Sequence, residues 1–130
     1  MRLMAAYIVC LLICATALTL QTRKAVDPLS GVWIGDWGPT PTLRNAVTVE
    51  LKWDGRRLTG SVNPGPNVIR LQKTSFDTKT STVHMEADVV FLGQRVHYVI
   101  QGRVENGTLI GSWHHDDRKG DFKIIRKPRL

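Results

Sequence analysis

Apolar residues recur at every second position along most of this chain, and three short turn signals fold those runs back on themselves with the same parity. Val47, Val49, Leu51 and Trp53 alternate with Thr48, Glu50 and Lys52 and lead into Asp54-Gly55. Asp-Gly or Asn-Gly between alternating runs is a strong hairpin signal, because both central positions of the favoured turn need a positive φ. Folding on that turn sets Trp53 opposite Arg56, Leu51 opposite Leu58, Val49 opposite Gly60 and Val47 opposite Val62. Asn106-Gly107 sets Val104 opposite Leu109, Gly102 opposite Gly111 and Ile100 opposite Trp113; Leu92-Gly93 sets Val89 opposite Val96, Ala87 opposite Tyr98 and Met85 opposite Ile100. A slip of one residue would turn every side chain to the wrong face. Three turns that agree therefore restrict the chain to an antiparallel all-β fold.

The runs predict eight strands, at 31–37, 46–53, 57–63, 68–76, 81–90, 95–104, 108–114 and 121–126. In the fourth, Val68, Ile69, Leu71 and Phe76 do not keep one parity, which points to a bulge. Eight short sequential strands with an apolar inner face close most economically into a single up-and-down β-barrel, which leaves no exposed edge. Trp33, Val49, Leu51, Leu58, Val62, Met85, Tyr98, Ile100, Trp113, Phe122 and Ile124 are expected to point inward. Gly60, Gly102 and Gly111 are expected to leave space along one side of the interior.

The first 22 residues stand apart. Arg2 precedes a run without charge from Leu3 to Thr22, and Ala15 and Ala17 carry the small-residue spacing of a cleavage site. This is the pattern of an N-terminal signal helix for export, periplasmic or secreted; a retained membrane anchor is the alternative, since the run just reaches spanning length. Cys10 and Cys14 follow the β-branched Val9 and Ile13, unlike a lipidation signal, which takes a small residue there. Both cysteines fall in this segment, so the domain proper is held by its core and not by disulfides. The organisation expected is a signal at 1–22, a leader at 23–30 and a barrel at 31–127.

The chain is basic, with 18 Lys and Arg against 11 Asp and Glu. The positive residues are scattered along the strands without the aromatic-interleaved basic motif used for nucleic acid. Nucleic acid is not an expected partner, while weak attraction to polyanions or anionic membranes follows from net charge alone.

Gly31-x-Trp33 near the start, paired with Arg126 near the end, resembles the structural signature of the calycin superfamily, which includes lipocalins, fatty-acid-binding proteins and avidins. Leu58-Thr59-Gly60-Ser61-Val62, Leu109-Ile110-Gly111-Ser112-Trp113 and Gly120-Asp121-Phe122 also resemble a group of small exported bacterial barrels of unknown function. The resemblance implies that Trp33 sits at the closed end with Arg126 packed across it, and that a ligand enters at the other end. The chain is shorter than a typical lipocalin and lacks its cysteines and C-terminal helix.

Up-and-down order places loops 38–45, 63–67, 91–94 and 114–120 at that open end. They carry the candidate ligand or partner rim: Trp37, Arg44, Asn45, Asn63, Asn67, Phe91, His114 and His115. Barrel mouths are common ligand sites, and the occupant expected is a small apolar or amphipathic molecule. The alternative is a filled barrel whose rim loops engage a protein. His114-His115-Asp116-Asp117 has the residue types of a zinc site, but adjacent strand residues point to opposite faces. His84, Glu86, Asp88 and His97 share the outer face, where Asp88 lies across from His97 as an ordinary cross-strand pair. Asn106-Gly107-Thr108 matches a glycosylation sequon and is accounted for as a hairpin turn. No nucleophile–base pair or carboxylate pair in a cleft emerges. The expectation is a monomeric binding protein with no catalytic residue, metal or cofactor.

Overall fold

The computed structural model of the protein describes residues 27–128. The expected signal or anchor at 1–22 and the first part of the leader lie outside the described residues. Eight strands follow one another: β1 Gly31–Gly38, β2 Asn45–Trp53, β3 Leu58–Val62, β4 Ile69–Asp77, β5 Thr82–Phe91, β6 Gln94–Glu105, β7 Thr108–His115 and β8 Arg118–Arg126. Each pairs antiparallel with its neighbours in sequence, and β1 also pairs with β8, so the sheet closes into an up-and-down barrel. No α-helix occurs among the described residues.

Two of the three hairpin registers are as the turn chemistry dictates. Ala87 faces Tyr98 and Met85 faces Ile100 across β5–β6, while Gly102 faces Gly111 and Ile100 faces Trp113 across β6–β7. The Asp54-Gly55 hairpin is a correction. Leu51 faces Gly60 and Trp53 faces Leu58, two residues away from the expected partners. The turn takes four residues because the Asp54 carboxylate accepts from the backbone N–H of Arg56 at 2.8 Å and of Arg57 at 2.7 Å. Such an Asx arrangement competes with the tight two-residue turn. A shift of two preserves parity, so the inward set is unchanged. In β4 the register slips by one between Gln72 and Ser75, where Lys73 adopts φ 46°. One extra residue is absorbed there, which reconciles inward Leu71 with inward Phe76.

The closed end is densely packed. Trp33, Leu29, Leu109, Ile124 and Val83 are fully buried, and Leu51 and Leu58 are buried beside them. The stretch 27–30, the described part of the leader expected at 23–30, is a plug. The Asp27 carboxylate accepts from Leu29 N and Ser30 N at 2.9 and 3.0 Å, a local turn that points Leu29 into the core. Burial alone would push the Asp27 carboxyl up, but hydrogen bonds from Ser30 and Leu29 and the charge of Arg126 leave it below the usual carboxylate range. Trp33 Nε1 donates to Leu29 O at 2.8 Å. Arg126 lies over the Trp33 ring, 5.5 Å from its centroid, and donates to Asp27 O at 2.8 Å and Ser30 O at 3.1 Å. The guanidinium thus stacks on the tryptophan and cinches the plug.

The glycines expected to leave room do the opposite. A methyl group at Gly102 would sit 2.9 Å from Phe122 Cζ and 3.0 Å from Leu109 Cδ1. The missing Cβ is what lets these large side chains lie against the strand, and the space beside Gly102 is already taken.

Candidate functional site

Beyond Trp33, towards the end formed by loops 39–44, 63–68, 92–93 and 116–117, the interior stops being full. A cavity of about 280 Å³ occupies this half. Val47, Val62, Ile69, Leu71 and Val89 form its aliphatic wall, Trp37, Tyr98, Trp113 and Phe122 its aromatic wall, and Val49, Met85, Ala87, Ile100 and Ile124 its boundary with the packed half. Asn63 is the one amide side chain on the lining.

The aromatic wall holds itself in place. Trp37 meets Trp113 edge-on at 5.2 Å between centroids and Tyr98 at 6.0 Å. His115 stacks nearly parallel on Trp113 and meets Tyr98 edge-on at 4.6 Å, in the offset and T-shaped geometries that aromatic quadrupoles favour. Trp113 Nε1 donates to Asp121 O at 3.2 Å, which fixes the indole. Burial among these rings pushes the Tyr98 phenol above its ordinary range, against the opposing charge of Arg118. Asn63 is held at φ 52° by bonding Thr48 twice: its backbone N–H donates to Thr48 O at 2.7 Å, and its side-chain oxygen accepts from Thr48 N at 3.3 Å. Its amide nitrogen, the Tyr98 hydroxyl and Trp37 Nε1 bond no other described residue, so three of the lining side chains keep a polar group unpaired.

The expected rim residues divide. Trp37 and Asn63 line the cavity, and His115 backs the aromatic wall. Arg44 is instead a structural tie: it donates to Asp36 Oδ1 at 2.9 Å, to Asp121 Oδ1 at 2.5 Å and to Gly38 O at 3.3 Å, pinning the β1–β2 loop to the start of β8. Asn45 and Asn67 are exposed and away from the lining, and His114 points outward. Phe91 projects above the mouth, 67% exposed. The segment 114–120, expected to be a loop, is continuous strand with a two-residue turn, since His115 pairs with Arg118; Asp116 takes the left-handed position, φ 51°. Sequence reasoning placed only part of the aliphatic wall, with Val62 expected inward. Parity along β2 and β5 already placed Val47 and Val89 inward, whereas the bulge at Lys73 hid Ile69 and Leu71.

On the outside, His84, Glu86 and Asp88 of β5 and His97 of β6 form one network. Glu86 bonds His84 at 2.7 Å and His97 at 2.6 Å, and His97 bonds Asp88 at 2.6 Å through its other nitrogen. Asp88 and then Glu86 hold the His97 imidazolium above its ordinary range; His84 and His97 hold Glu86 below its own, and His97 does the same for Asp88. Among the described residues no group of three or more such side chains has the geometry to hold a metal ion.

Comparison with protein-family models, with curated proteins and with solved structures gives no match. Fold and site together define a closed eight-stranded antiparallel barrel with one packed half and one hollow, apolar half.

Proposed function

We propose that this chain is an exported, non-enzymatic binding protein of calycin-like type that carries a small apolar or amphipathic ligand in the open half of its barrel. The observation that carries this reading is the cavity of about 280 Å³, walled by aliphatic and aromatic side chains. An engineered apolar cavity of about 150 Å³ stays dry and admits benzene. The space here suits a ligand of about a dozen non-hydrogen atoms, such as a medium-length acyl chain or a fused pair of rings. The Asn63 amide and the Tyr98 hydroxyl give a polar end of such a ligand two partners. The cavity favours this reading over the alternative of a filled barrel that serves only to present its loops.

Two tryptophans on the wall supply the readout. Titration with decanoate or with decanol is expected to change the fluorescence of Trp37 and Trp113 saturably. Ala87→Phe, which places a ring in the cavity, should abolish that change while the far-ultraviolet circular dichroism stays that of a β-barrel. Undiminished binding in Ala87→Phe, or no saturable response to either probe, would refute the carrier.

A further inference from the structure

The most exposed large apolar side chains of the described residues are consecutive. Val90, Phe91 and Leu92 are 68, 67 and 87% exposed, and they form the tip of the β5–β6 hairpin at the cavity mouth. Leu43, 61% exposed, lies in a loop at the same end. At the opposite end the turns are polar: Asp54-Gly55-Arg56-Arg57, Asp77-Thr78-Lys79-Thr80 and Asn106-Gly107.

The backbone marks the tip as well. Leu92 and Gly93 take φ 51° and 78°, and the β6–β7 turn takes nearly the same conformation with Asn106 at 47° and Gly107 at 75°. Asn is at home in that left-handed position, whereas a bulky apolar residue is strained there. Folding would favour Asn or Asp over Leu92, and so would solubility. A residue poor for both is evidence that the tip meets an apolar environment.

We infer that this hairpin docks the barrel, mouth first, on an anionic lipid bilayer. The tip is convex and three residues long. A stable protein interface needs about 800 Å² from each partner and a complementary surface, which so small a projection lacks; a bilayer interface needs no pocket and takes up Phe and Leu beside a cation. Arg95 lies directly across from Val90, and 89–96 contains no carboxylate. At the neighbouring turn Arg118 and Lys119 balance Asp116 and Asp117, so Arg95 and the chain's net charge of +7 supply the preference for anionic headgroups. Docking in this orientation turns the cavity mouth towards the lipid. The inference goes beyond the carrier reading and does not rest on it.

The test uses the full chain with Cys10→Ser and Cys14→Ser and a single bimane label, placed either at Gln94→Cys beside the tip or at Arg56→Cys at the far end. With vesicles of phosphatidylglycerol and phosphatidylcholine, the label at Gln94 is expected to shift to the blue and the label at Arg56 to stay unchanged. Phosphatidylcholine alone or high salt should weaken the response. Phe91→Ser with Leu92→Asn should lower the vesicle affinity read at Gln94 on the order of a hundredfold, from the loss of two buried apolar side chains. Because Asn relieves the left-handed strain, Leu92→Asn alone should fold at least as well as the parent, so unfolding does not explain the loss. A shift at Arg56 without one at Gln94, a shift that survives the double substitution, or no shift with any vesicle overturns lipid docking; the last leaves the tip to a protein partner. Ala87→Phe should leave the Gln94 response intact while ligand binding is lost, so failure of either idea is read separately.

Discussion

The two halves of one barrel are built from the same eight strands and the same inward alternation, yet one is solid and the other hollow. The difference lies in what enters from outside the sheet. At the closed end Leu29 arrives from the segment before β1 and fills the axis, and Arg126 seals it by bonding Asp27 O and Ser30 O. Among the described residues no such plug enters the other end. There the β1–β2 loop is tied back along the wall by Arg44. The strands specify a cylinder, and a single four-residue plug specifies which end is closed.

The comparison is broken most directly by truncating one tryptophan in each half. Trp33→Ala, in the packed half, should cost about 3–5 kcal/mol in denaturant unfolding, as for other large buried aromatics. Leu29→Ala comes next, at about 2–4 kcal/mol, because the plug loses its only buried side chain. Trp37→Ala borders existing empty space and should cost less than about 2 kcal/mol while weakening the binding of the probes. A Trp37→Ala penalty equal to that of Trp33→Ala would mean that the open half is core. Leu92→Asn, far from both interiors, should gain about 1 kcal/mol by relieving left-handed strain. Unchanged or lower stability would show that the tip is not strained.

The smallest effect concerns the outer network, which belongs to neither half. His97 is held above its ordinary value near 6.5, so its contribution is complete below that pH and fades as pH rises through the raised folded value. Glu86 and Asp88 are held low, so theirs is complete above the ordinary carboxylate range and fades as pH falls through the lowered folded values. Stability from the network is therefore greatest between about pH 4.5 and 6.5. Melting temperature followed against pH should show this plateau in the parent and lose it in His97→Gln. The same plateau in His97→Gln would show that the network is decorative.

Much of the fold was legible because parity is a robust code. The misplaced Asp54 hairpin shows why: a two-residue error in register left Leu51 and Leu58 facing inward all the same. Trp33 and Arg126 were likewise legible as a pair, through a resemblance whose predicted contact the barrel contains. The plug was not, since Asp27-Pro28-Leu29-Ser30 has no periodicity and its meaning depends on a carboxylate bonding two nearby N–H groups. The hollow half was not legible either. Alternation says which side chains face the axis and nothing about whether they meet across it, and the glycines that suggested space are taken up by neighbours: Gly102 by Phe122 and Leu109, Gly60 by Leu51 and Leu71, and Gly111 by the adjacent backbone. Half of the candidate rim proved structural or peripheral for a similar reason: loop position marks the end of a barrel, but only geometry separates Arg44, spent on two aspartates, from Asn63, which keeps a donor for the cavity.

The bonds from Arg126 to the plug join residues up to 99 positions apart, and this has a kinetic consequence. Hairpins can zip locally, but the β1–β8 seam closes only after the whole chain has been traversed, when loop entropy is largest. The stacking of Arg126 on Trp33 belongs to that final step, so the indole fluorescence of Trp33 should report the slowest folding phase. Because both ends of the described chain meet at this seam, a circular permutant that joins them and opens at the Asp54–Arg57 turn would make the slow contact local and shorten that phase.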